Sequence, residues 1–122
     1  MTRATKKLKV LVVDDEWIIA DTLAVILCQH GYDASPVYSG ADAVERARQI
    51  GPDLIISDVV MPGINGIEAA IRIREFLPSC KILLFSGQAA TADLLEKARA
   101  QGHEFDILAK PVHPQDLLAK LG

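Results

Sequence analysis

Short runs of apolar residues alternate along this chain with segments of helical length, and that alternation does most to limit its fold. The runs lie at residues 8–13, 54–57, 82–85 and 107–109, with a weaker one at 32–37. Runs of this length between turn-forming residues read as β-strands. They lack strict in-out alternation, so burial on both faces is expected, as in a parallel sheet covered by helices. The first interval carries Ile19, Leu23, Ile26 and Leu27 at i, i+4, i+7 and i+8, an apolar helix face that stops at Gly31. A second helix is expected over 41–50, with Ser39 and Asp42 in capping-box-like spacing and Gly51-Pro52 closing it. A third opens at Asn65 with Glu68 as its partner, buries Gly66, Ala70, Ile73 and Leu77, and stops at Pro78. A fourth, 92–101 behind Thr91, ends at Gly102, and a fifth has Pro114 at its first position. Repeated strand-helix units with right-handed crossovers put helices on both faces of one sheet, an α/β sandwich.

A length of 122 residues fits one domain, and no linker, repeat or low-complexity tract divides it. Half the residues are hydrophobic and 24% charged, the balance of a folding domain rather than a disordered segment. A net charge of −3 argues against broad attachment to nucleic acid or to an anionic membrane. Arg3, Lys6, Lys7 and Lys9 precede an apolar run of residues 10–13 only, too short for a signal peptide. No apolar stretch approaches the roughly 18 residues of a membrane span. Cys28 and Cys80 form neither a C-x-x-C pair nor a zinc pattern. They are expected to be ordinary buried or half-buried thiols in a reduced, cytoplasmic setting.

In such sheets the ligand site lies beyond the carboxyl ends of the strands. Standing there are Asp14, Asp15 and Glu16, then Asp58, then Ser86 and Gly87, then Lys110 and Pro111. Two like charges about 4 Å apart repel by about 4 kcal/mol at an effective dielectric near 20, and Lys110 alone does not offset clustered carboxylates. A divalent cation does, and an all-oxygen ligand set favours Mg²⁺ or Mn²⁺ over zinc. Mg²⁺ sites of this kind commonly take phosphate oxygens as well. Asp58 stands alone on the central strand, the position of a carboxylate nucleophile for phosphoryl transfer, with Lys110 to neutralise charge and Ser86 to donate to a phosphoryl oxygen. Taken singly, Asp14 or Asp15 reads as a helix cap, Glu16 as a first-turn acid, Ser86 as a turn residue and Lys110 as a surface charge. Their joint placement on one rim is what points to chemistry.

The motifs Val12-Val13-Asp14-Asp15-Glu16, Asp58 followed by Met61-Pro62-Gly63 and Gly66, Phe85-Ser86-Gly87, and Lys110-Pro111 make the chain resemble the receiver domains of two-component response regulators. The resemblance covers residues 10–121 and implies a flavodoxin-like sheet of order 2-1-3-4-5, in a domain over 8–122 behind a tail at 1–7. It further implies that Asp15 ligates Mg²⁺ directly, Asp14 largely through water, and Asp58 through an oxygen, with the Val60 carbonyl completing the shell. Asp58 would accept phosphate from a phosphohistidine donor, Ser86 would be the switching hydroxyl, Lys110 would pair with the phosphoryl group, and Pro111 would follow a cis peptide.

A sensor histidine kinase or phosphotransfer protein would dock near Trp17, a residue that reads equally as half-buried packing. Phosphate would draw in Ser86 and repack the chain from Gly87 to Lys110, changing the surface of the fourth helix, fifth strand and fifth helix for a downstream partner or a missing output domain. Asp93, Glu96, Lys97 and Arg99 make that fourth helix polar and mixed in charge. Such a chain catalyses only its own phosphorylation and dephosphorylation.

Some positions depart from the family pattern. Ile107 stands where the family often has Tyr or Phe, with Phe105 two residues earlier on the same side of the strand. The stretch 102–105 reads as one residue longer than usual. Val60 and Gln88 flank the site, and an apolar Val60 cannot orient an attacking water, which implies slow self-dephosphorylation. The last helix is short, consistent with a stand-alone regulator or with a receiver taken from a longer protein.

Two rivals remain in other classes. A Mg²⁺-dependent hydrolase with an aspartate nucleophile would want a second acid two residues on, where Val60 stands, and more chain for a substrate cap. A receiver-like module that never takes phosphate would have an incomplete acid set. Neither a P-loop nor G-x-G-x-x-G follows the first strand.

Overall fold

The apolar runs pair side by side into one parallel sheet of order β2-β1-β3-β4-β5, the order the resemblance implied. The protein is seen in a computed structural model that describes residues 7–87 and 89–121. Its elements are β1 Lys9–Val13, α1 Trp17–Gln29, β2 Asp33–Val37, α2 Gly40–Ile50, β3 Leu54–Asp58, α3 Gly66–Phe76, β4 Lys81–Ser86, α4 Ala89–Ala100, β5 Asp106–Ala109 and α5 Pro114–Leu121. The tail at 1–6 and Gln88 lie outside the described residues.

Side chains of the inner strands alternate between two apolar layers, which is why the sequence shows apolar runs rather than alternation. Val10, Val12, Leu54, Ile56, Leu83 and Phe85 face Ala20, Leu23, Ala24, Leu27 and Leu117 of α1 and α5. Leu11, Val13, Ile55, Ile82 and Leu84 face Ala43, Ala47, Ile67, Ala70, Ile73 and Ala98 of α2, α3 and α4. Full burial of both faces holds the rim of the sheet rigid beneath the site.

Helix starts follow the capping chemistry. The Ser39 hydroxyl accepts from the Asp42 N–H at 3.0 Å and the Asn65 side chain from the Glu68 N–H at 2.8 Å, each satisfying a donor with no intrahelical partner. Elsewhere the sequence expectation shifts. The contact line of α1 runs through Ala20, Leu23, Ala24 and Leu27, with Ile19 at its exposed margin, because the two alanines let the helix lie close on the sheet. Turned outward by the same rotation, Cys28 is exposed rather than buried, while Cys80 is buried as expected. The fourth helix begins at Ala89, so Thr91 lies inside its first turn rather than ahead of it. Among the described residues no helix is long and apolar enough to cross a membrane.

Candidate functional site

Asp14 follows the last residue of β1, and its N–H still donates to the Val37 carbonyl of β2 at 3.0 Å, so sheet pairing fixes its backbone. Its side chain is fully buried. Oδ1 accepts from the Glu16 N–H at 2.9 Å, a local turn that starts α1. Oδ2 is buried with no hydrogen-bond partner. Burial pushes the Asp14 carboxyl up to about 6, and the neighbouring Asp58 and Asp15 charges add to the rise; the Glu16 N–H and the Lys110 charge oppose it. Glu16 is the N-cap of α1 rather than a first-turn residue, and its side chain makes no capping bond.

Asp58 closes β3 on the neighbouring strand and is also buried. Asp14, Asp15 and Asp58 each offer a carboxylate oxygen, and these atoms lie within 4.8 Å of one another. The Lys110 ammonium sits 2.9 Å from Asp58 Oδ1. Two glycines make this approach possible. A Cβ on Gly66 would stand 2.0 Å from the Asp58 carbonyl oxygen, and one on Gly87 would stand 2.7 Å from the Lys110 Cβ. The Lys110–Pro111 peptide is cis, as the resemblance implied.

Ser86 ends β4 one residue past the Asp58–Phe85 row, and its carbonyl accepts from the Lys110 N–H at 3.2 Å. Its hydroxyl is turned to α4, hydrogen-bonded to the Thr91 hydroxyl. Val60 lies on the loop after β3 with its side chain exposed. The rim thus brings together Asp14, Asp15, Asp58 and Lys110, with Ser86 beside them. Thr91 is the residue that sequence reasoning missed; its only signal was a hydroxyl five positions after Ser86 at a helix start. Phe105 and Ile107 do share one side of the sheet. Phe105, however, lies ahead of β5, away from the rim, with the Arg74 guanidinium 4.6 Å over its ring. Trp17 is 61% exposed, which removes the packing alternative.

The residues present fit a hard divalent cation. The donor set is all oxygen, one of its buried oxygens has no partner, and the lysine supplies one positive charge against three carboxylates.

A doubly wound sheet whose rim joins clustered aspartates to a lysine defines an α/β protein of the flavodoxin-like kind. More narrowly, the chain belongs to the response regulator receiver domain family, which it matches over residues 10–122. It is 32% identical over 114 residues to the chemotaxis protein CheY of Thermotoga maritima, covering 93% of each chain. It is 28% identical over 117 residues to the DNA-binding response regulator MtrA of Mycobacterium tuberculosis, covering 96% of this chain and 50% of that protein. The chain therefore spans about half the length of the DNA-binding relatives it matches. The structure of CheY4 from Vibrio cholerae superposes with a TM-score of 0.84 at 30% identity, covering 95% of this chain and 97% of that one. Phosphorylation-dependent signalling is the role of this family, whose members are generally signalling domains and not classical enzymes.

Proposed function

We propose that Asp58 accepts a phosphoryl group from a phosphohistidine on a sensor kinase or phosphotransfer protein, and that the new charge alters the surface met by a downstream partner. The observation that carries this reading is the Lys110 ammonium 2.9 Å from Asp58 Oδ1, beside the buried, partnerless oxygen of Asp14. Asp15 would hold Mg²⁺ directly and Asp14 through water, with Asp58 and the Val60 carbonyl completing the set; Mn²⁺ suits the same oxygens. Bound there, the ion supplies neutralisation of the carboxylates and of the incoming phosphoryl oxygens.

An Asp58 carboxylate oxygen forms the new O–P bond as the P–N bond to the donor imidazole breaks, and the leaving nitrogen takes its proton from solvent. The step calls for positioning and charge neutralisation rather than for a general base. Lys110 pairs with the transferred oxygens, and Ser86 turns to donate to one of them. Val60 gives a departing phosphate no polar group to orient water, which favours a long-lived phosphoryl state.

The donor has an apolar seat next to the site. A hollow of about 610 Å³ between α1 and the segment after β5 is lined by Ile18, Ile19, Ile26, Pro111 and Val112, and reaches Asp14 and Lys110. Ile18 of that lining and Trp17 just before it are each 61% exposed. Exposed apolar side chains of this size mark interaction surfaces. On the output side Asp93, Glu96, Lys97 and Arg99 are exposed on α4, where a partner of the cytoplasmic signalling chain would read the change.

The test is intact-protein mass after incubation with a small acyl phosphate and Mg²⁺. One phosphate per chain is expected on the wild type and none on D58N. Equal labelling of the two proteins would overturn the assignment.

A further inference from the structure

We propose that Thr91 is a positioning residue for the switching hydroxyl: it holds Ser86 against α4 in the unphosphorylated protein and competes with a phosphoryl group on Asp58 for it. This deepens the phospho-acceptor reading and rests on it.

Ser86 is pinned at its backbone. It lies in the β4–β5 ladder opposite Ala109, and its carbonyl accepts from the Lys110 N–H at 3.2 Å. What remains free is rotation about its Cα–Cβ bond, which offers a few staggered positions for one hydroxyl. The structure shows that hydroxyl bonded to the Thr91 hydroxyl, while the Asp58 carboxylate is engaged by Lys110. Thr91 is 2% exposed in the first turn of α4, where its β-branch restricts it to two staggered positions. It is the buried, more constrained member of the pair.

Either hydroxyl can donate in the Ser86–Thr91 pair, so the competition is for position: movement of Ser86 Oγ toward a phosphoryl oxygen on Asp58 lengthens the contact with α4. The outcome follows from the acceptors. A hydrogen bond to a charged oxygen is roughly twice as strong as one between neutral groups, so the phosphoryl group wins when present and Thr91 wins when it is absent. Thr91 thereby sets the threshold of the switch and links the state of Asp58 to the first turn of α4, a two-position element biased from both ends.

The test uses beryllofluoride with Mg²⁺ as the phosphoryl stand-in, titrated against the full chain. T91V keeps the shape of the side chain and removes the hydroxyl; its affinity should rise about three- to tenfold, the weight of one ordinary hydrogen bond. T91S should bind as the wild type does, and in an S86A background T91V should change nothing. An unchanged or weakened affinity in T91V, or the same shift with and without Ser86, would overturn the role of Thr91 while leaving Asp58 as acceptor. Absence of Mg²⁺-dependent binding in the wild type, with D58N behaving identically, would remove the acceptor reading and the proposal together.

Discussion

Asp14 uses one carboxylate oxygen to start a helix and keeps the other buried without a partner. Such an atom is costly in the absence of a cation, and its carboxyl is accordingly raised from 3.8 to about 6, chiefly by burial. A raised acid means that the folded chain holds this proton more tightly than the unfolded one. Its favourable contribution is complete below about pH 4 and is lost as pH rises through about 6. In D14N the Glu16 N–H keeps an acceptor while the buried charge disappears. With a chelator present, D14N should therefore be more stable than the wild type by roughly 1–3 kcal/mol at pH 7.5, with the advantage shrinking toward pH 4. Thermal unfolding across that range checks it, and identical pH profiles would contradict it. In the same variant the stabilisation by Mg²⁺ seen for the wild type should be largely lost.

The charged members of this site were legible in the sequence because topology alone brings strand ends together. Asp14, Asp15, Asp58 and Lys110 needed only their order along the chain and a parallel sheet. Thr91 was not legible, because its part depends on one rotamer of Ser86 and on a helix that starts three residues earlier than its apolar pattern suggests.

At the scale of elements, the junction of β3 and α3 shows how tightly backbone is packed beneath Asp58. Gly66 opens α3 directly against the Asp58 carbonyl, and its own N–H donates to the Val59 carbonyl at 2.8 Å. A methyl group there would meet backbone, which has no rotamer by which to yield. G66A should cost about 1–3 kcal/mol in urea unfolding and should slow labelling of Asp58 by an acyl phosphate, since the strand end must shift. A variant with wild-type stability and rate would show that the junction relaxes freely.

Helix existence and capping were readable from Ser39, Asp42, Asn65 and Glu68, where short polar side chains answer to local backbone donors. The facing of α1 was not. Its sequence carries isoleucine, leucine, valine and alanine around the whole circumference, so large apolar residues did not mark the buried side. Close packing chose Ala20 and Ala24 for the sheet and left Ile18 and Val25 outside, and the exposure of Cys28 follows from the same choice.

For the whole molecule, the sheet separates two apolar layers, each closed by its own helices. Ile56 belongs to the layer under α1 and α5, and Ile73 to the one under α2, α3 and α4. Each Ile→Val change should cost about 0.5–1.5 kcal/mol. The double variant I56V/I73V should lose the sum to within about 0.5 kcal/mol, because the two sites share no cluster. Denaturant titration of the four proteins decides it; a coupling above that margin would mean the sheet transmits strain from one face to the other.

The chain has one tryptophan, and Trp17 stands 61% exposed two residues beyond Asp15. Its indole is consequently a resident optical probe at the mouth of the acidic cleft. Quenching or a blue shift of its emission reads out arrival of an ion or of a docked helix in real time, with no dye attached and no competing chromophore of its kind in the background.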